Sequence, residues 1–293
     1  MFLSRIARFI LPALSLGVVA ADAGAQAAPL TLKVYNADAG SFNVNAVLVT
    51  GKTEALVIDS GFTRADALRI AANVLDSGKT LKAVFISNAD PDYYFGAETL
   101  KTIFPNVPVL TTPAVRDRIR AKLAGKLAFW GPKMGANAPQ HPVVPEALSG
   151  TTLTVDGQAI EVRGTTGELA HRPYVWIPSL KAIVGNIGVF GNLHVWTADT
   201  QKASERQAWF AQLDEMQALK PAVVVPGHMA AGTALDAANI AYTRDYLKRF
   251  DTEAARTQNA AALIEAMKQA YPQAGLDIAL DIGAKVNKHE MQW

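Results

Sequence analysis

No cysteine occurs in the 293 residues, so disulfides and thiolate metal ligands are excluded. Histidine is scarce, at five residues, which limits any site built from imidazole. Aromatic residues make up 8% and charged residues 18% of the chain, and its net charge is +2. With no long basic run, it carries no electrostatic footprint for DNA or RNA. A long hydrophobic run is also missing. The apolar stretch Phe9 to Ala20 falls short of the roughly 20 residues that a spanning helix needs.

That stretch follows Arg5 and Arg8 and precedes small residues suited to cleavage after Ala25 or Ala27. The pattern is that of a secretory leader over residues 1–25, and it predicts a periplasmic or secreted protein with no stable membrane span after cleavage. The remainder, residues 26–293, is expected to be a single domain with a helical C-terminal extension. Half the residues of the chain are hydrophobic, enough for a core without disulfide staples.

Residues 30–37, 42–51, 54–61 and 81–87 read as strands, because their β-branched runs end in glycine turns. Between the last two lies a helix, "RADALRIAANVLDSGK", with Ala67, Leu68, Ala71, Ala72 and Leu75 at helical spacing and Gly78 as its stop. "GAETLKTIFP" predicts a short helix, "VPVLTT" a strand, and "PAVRDRIRAKLAGKLAFWG" a charged amphipathic helix. A proline-rich surface excursion follows, then strand pairs turning at Asp156-Gly157 and Pro178-Ser179. Residues 203–219 place Trp209, Leu213, Met216 and Leu219 on one stripe, and Pro221 ends that helix before the strand "AVVVPG". Two helices are expected beyond Ala234.

Polar residues recur where strands end: Asn88, Asp90 and Asp92 in "SNADPDYYFG", Glu168 and His171 after "EVRGTTG", Asn186 after "AIVG", and His228 after "VVVPG". Strand ends are where α/β proteins gather ligand sites, which makes these loops the candidates for one pocket.

With its flanks "ALVIDSG", "FGAETL", "WIPSLKAIVGN" and "KPAVVVPGH", the chain resembles the metallo-β-lactamase-fold superfamily over roughly residues 30–230. The resemblance implies an α/β fold, a four-layer αββα sandwich of mixed sheets flanked by helices. It also implies hydrolysis by metal-bound hydroxide. The family's loop of pattern His-x-His-x-Asp-His matches Asn88, Asp90, Asp92 and Tyr93 here, and its later ligands match Glu168, Asn186 and His228. Only Asp92 and His228 keep the family's residue. Such an oxygen-rich set suits Mg, Mn or Ca better than Zn, so the expectation is one divalent metal, weakly held Zn included, or none.

Each residue also has a plainer role. Asp90 and Asp92 can cap the turn, Asn88 and Asn186 can satisfy backbone groups, and Glu168 can be a surface residue. For catalysis the candidates are Asp92 and His228, with His228 as general base if no metal is present. Tyr93, Tyr94, His194 and Trp196 are candidate substrate-binding residues. Two readings remain: a hydrolase of an ester, amide or similar bond, and a non-catalytic small-molecule-binding protein that keeps the pocket.

Overall fold

A computed structural model describes residues 28–293, so the expected leader lies outside the described residues. The first sheet opens with antiparallel strands β1 (Thr31–Asn36), β2 (Asn45–Thr50) and β3 (Glu54–Ile58). It continues in parallel through β4 (Thr80–Ile86), β5 (Val109–Thr111) and β6 (Glu146–Ala147). In the second sheet, β7 (Thr152–Val155), β8 (Gln158–Arg163), β9 (Tyr174–Ile177) and β10 (Ala182–Val184) form an antiparallel meander. The last strands are β11 (Phe190–Gly191), β12 (Val223–Val224) and β13 (His228–Met229). Of these, β12 runs parallel to β10, while β11 and β13 form their own parallel ladder.

The helices are α1 (Arg64–Ser77), α2 (Pro91–Tyr94), α3 (Ala97–Ile103), α4 (Pro113–Met134), α5 (Ala203–Ala218), α6 (Ala238–Arg256), α7 (Ala260–Ala270) and α8 (Asp277–Asn287).

Period-two alternation sorts these elements into four layers. Along β2 to β4, Ala46, Leu48, Val57, Val84 and Ile86 share a core with Ile70 of α1, Leu100 of α3 and Ile119 of α4. The alternate residues Val47, Val49, Leu56, Ile58 and Phe85 instead meet Val175, Ile177 and Val184 of the second sheet. On that sheet's far side, Tyr174, Trp176 and Ile183 pack with Trp209, Tyr246, Leu263 and Leu280 from α5 to α8. The order is therefore helix, sheet, sheet, helix, as predicted. Each aliphatic side chain so buried contributes about 1.5–3 kcal/mol.

Several local expectations are corrected. The buried face of α1 is Ala67, Ile70, Ala71 and Val74, whereas Leu68 and Leu75 are 46% and 62% exposed. The connection at Pro178 is longer than a two-residue turn: a 3-10 turn over Pro178–Leu180 ends with Lys181 in the left-handed region. Of "AVVVPG", only Val223 and Val224 are strand. Three helices, not two, follow Ala234. The third, α8, contains Gly283, which argues against a helix in sequence, but a Cβ there would collide with the Thr197 hydroxyl. Close packing of α8 on the 193–200 segment requires that glycine.

Gly227 is the other position where close approach decides. A Cβ would overlap the Asn186 carbonyl and the Tyr93 hydroxyl, and its own N–H and C=O bind Val189 and Asn45. Gly227→Ala is expected to push the His228 segment off its seat at a cost of about 1–3 kcal/mol, seen as a lower denaturation midpoint.

Candidate functional site

At the C-terminal end of β4 the chain enters the loop "SNADPDYY". Asp59, at the end of β3, holds that loop down. Its carboxylate accepts from the Ser87 amide at 2.7 Å and the Ser87 hydroxyl at 2.8 Å. Burial raises its pKa from 3.8 to about 7 despite those bonds. Folding thus favours the protonated form. The associated stability is fully present below pH 3.8 and is lost as pH rises through about 7. Asp59→Asn is expected to remove that part of the decline in denaturant midpoint between pH 4 and 8.

The Asn88 side chain accepts from the Asp90 amide at 2.9 Å. Asp90 makes no capping bond to α2, contrary to the local role expected of it. Its carboxylate instead meets the Lys126 ammonium of α4 at 3.2 Å. Burial works against the charge on Lys126, but Asp90, Asp199 and Asp92 together hold its pKa above the ordinary range.

Asp92 and His228 do come together, with His228 Nε2 3.4 Å from Asp92 Oδ2. On the other side of the ring, His228 Nδ1 lies 2.9 Å from the Phe42 carbonyl. A carbonyl can only accept, so Nδ1 carries the proton and Nε2 presents its lone pair to Asp92. Phe42 and Asn43 both take positive φ, 59° and 55°. Left-handed backbone at two successive non-glycine residues costs about 1–3 kcal/mol each, and here it aims the Phe42 carbonyl at the imidazole. Phe190 stacks on the ring at 5.2 Å and Tyr93 meets it edge-on at 5.6 Å. Burial lowers the His228 pKa to about 4. Burial, then the Asp90 charge, raises that of Asp92 well above its ordinary value. Burial thus favours the uncharged form of each partner, the protonated carboxyl and the neutral imidazole.

Both groups face a cleft lined chiefly by apolar side chains, among them Phe42, Trp130, Phe190, Trp196, Ile282 and Trp293, with Asp90 and Lys126 as the other polar members. Free space at its centre is about 60 Å³, room for a few water molecules.

The remaining expected site residues lie elsewhere. Glu168 is exposed and accepts from the Ser204 hydroxyl at 3.2 Å, because the 164–171 turn swings it to the surface. Asn186 is spent on backbone, donating to the Val225 carbonyl and accepting from the Val189 amide. Tyr93 donates to the Asn186 carbonyl at 3.0 Å and props the loop from below. Tyr94 is buried in the core between α1, α3, α4 and the first sheet and does not line the cleft. His194 is turned inward, its Nδ1 2.9 Å from the Tyr246 hydroxyl, so only Trp196 of the second pair reaches the cleft. Glu168→Ala is expected to change stability by no more than about 0.5 kcal/mol and to leave ligand binding intact, measurable by melting with and without ligand.

These donors do not fit a metal ion. Asn186 has both amide ends engaged, Asp90 already has a cation, Glu168 is at the surface, and no three His, Asp or Glu side chains gather as a metal cage among the described residues. Lys126 supplies the positive charge that the site contains.

Sequence reasoning did not single out Lys126, Asp59, Phe42 or Trp293. For Lys126 a signal existed: Arg118, Lys122 and Lys126 recur every fourth residue on α4.

A search of curated proteins finds no match. Among solved structures, a metallo-beta-lactamase family protein from Thermus thermophilus is similar with a TM-score of 0.60 and 16% identity, over 89% of this chain and 93% of that one. The DIM-1 metallo-beta-lactamase gives 0.54 and 18%, over 75% and 93%. A metallo-beta-lactamase from Pontibacter korlensis gives 0.53 and 20%, over 75% and 95%. At these identities the likeness concerns the fold. The model of the Metallo-beta-lactamase superfamily matches residues 39–228, a span running from the turn before β2 to His228 itself. The chain therefore belongs to the metallo-beta-lactamase superfamily, whose fold supports a hydrolase-like function in general.

Proposed function

We propose that the protein is an exported, metal-independent hydrolase of an ester, amide or similar bond. The observation that carries the reading is the His228–Asp92 pair, whose environments push the two pKa values in opposite directions. One ionisation state then offers both a base and an acid. His228 Nε2 takes a proton from water as the oxygen attacks the carbonyl carbon. Lys126 faces the oxyanion that develops. The Asp92 carboxyl gives its proton to the leaving oxygen or nitrogen, and the proton on His228 passes back across 3.4 Å to Asp92. Apo geometry of this length shortens when a substrate closes the site.

The test is turnover of a panel of nitrophenyl esters by protein dialysed against chelator. Undiminished turnover at negligible metal content is expected. Loss on chelation with recovery on adding zinc or manganese would sink the metal-free reading. For export, the mature N-terminus is expected at Gln26 or Ala28; a protein retaining Met1 would refute cleavage.

A second reading, a non-catalytic binding protein, is favoured by the internal satisfaction of Asn88, Asn186 and Tyr93 beneath apolar walls. It predicts thermal stabilisation by ligand without turnover.

A further inference from the structure

The cleft is roofed by the chain's own C-terminal segment. Leu276, Ile278 and Ile282 in and before α8 form one wall, and Trp293 closes it. The Trp293 indole meets Trp196 at 5.0 Å in a T-shaped contact and lies 5.3 Å from the Lys126 ammonium. A flat aromatic ring thus already sits in a corner made by a second ring and a cation, which is the geometry of a cation–π site. Trp293 remains 37% exposed, at the open edge of the cleft.

Charge around this corner is unbalanced. Arg118 and Lys122 both reach Asp199, at 2.9 and 3.9 Å, while Lys126 reaches Asp90. Beneath them is Arg172, only 2% exposed, which donates to the Ile187 carbonyl. Its Nε and Nη1 find no partner among the described residues. Burial holds Asp92 and Asp59 toward their neutral forms, so the four cations are faced chiefly by Asp90 and Asp199. An anion at the cleft would be drawn to the surplus, and a neutral ligand would not.

We propose that this site takes a small, flat aromatic molecule bearing one carboxylate-type negative group, with Lys126 as its counter-ion and Trp293 as the lid whose ring it displaces. The proposal rests on the cleft being the functional site, not on its chemistry being hydrolytic. Under the hydrolytic reading, water adds to an aromatic ester, the acyl C–O bond breaks, and the alcohol leaves with one proton. The aromatic acid that remains loses its own proton to become such an anion.

The test is calorimetric titration of the full chain with 2-naphthoate and with its neutral counterpart 2-naphthalenemethanol. Naphthoate is expected to bind at least about tenfold tighter than the alcohol. Lys126→Met should abolish that difference and Lys126→Arg should keep it. Trp293→Ala should tighten both ligands several-fold by removing the lid. Equal affinities in the parent, a preference that survives Lys126→Met, or no binding by either compound would overturn the ligand class. Weaker binding by Trp293→Ala would show the indole to be a wall, and would overturn the lid. Asp92→Asn separates the two readings: retained naphthoate binding without turnover by parent or variant leaves this proposal standing and removes the hydrolytic one.

Discussion

His228→Gln and Asp92→Asn are each expected to lower turnover of a responsive ester by about 10²- to 10⁴-fold, with the double variant little worse than either. The reason is that the two groups act as one unit, one receiving the proton the other will need. Glutamine retains a polar group of similar reach near the Phe42 carbonyl, so the fold should tolerate it. The pH profile is the sharper readout. Activity requires neutral His228, whose pKa is lowered to about 4 by burial, so the acid limb should fall near that pH. It also requires protonated Asp92, so the alkaline limb should lie well above the usual carboxylate range. Both limbs belong to the pair. In His228→Gln the acid limb should vanish; a profile identical to the parent's would remove His228 from the mechanism.

Trp209→Ala should be the most damaging core substitution, at about 3–5 kcal/mol and a fall in melting temperature on the order of 10 °C. The indole is fully buried and donates to the Gly188 carbonyl at 2.8 Å. The Arg172 guanidinium lies over its face at 4.1 Å, with Arg206 at 5.8 Å. Truncation opens a cavity and strips a stabilising face from two buried cations. Gly188 lies between Asn186 and Phe190, which stacks on His228, so the site should loosen with the core. A melting curve within a few degrees of the parent's would contradict this account.

The sheets were legible because central strands such as β2, β9 and β10 bury both faces, and β-branched runs end at turns that glycine must make, such as Asp156-Gly157, with φ of 46° and 76°. Helix α8 was not, since the contact that requires Gly283 is with Thr197, far away in sequence. The exposed Leu68 and Leu75 matched a helical stripe as well as the buried Ile70 and Val74 did, and composition cannot choose between adjacent faces. At the site, Asp92 and His228 were legible from their turns. His194 and Glu168 were not, because whether a loop side chain points inward is set by partners such as Tyr246 and Ser204. Lys126 comes from a helix whose charges looked like solvated surface, and its role emerges only when α4 is laid beside the loop after β4.

The Lys126–Asp90 pair has a consequence for the conditions in which the protein can work. A positive charge carried by a lysine arrives with the polypeptide. Under the metal-free reading proposed above, a site charged in this way needs no loading step after synthesis, competes with no neighbour for a scarce ion, and cannot be disarmed by a secreted chelator. Surroundings that starve metalloenzymes of their ions would leave this charge in place.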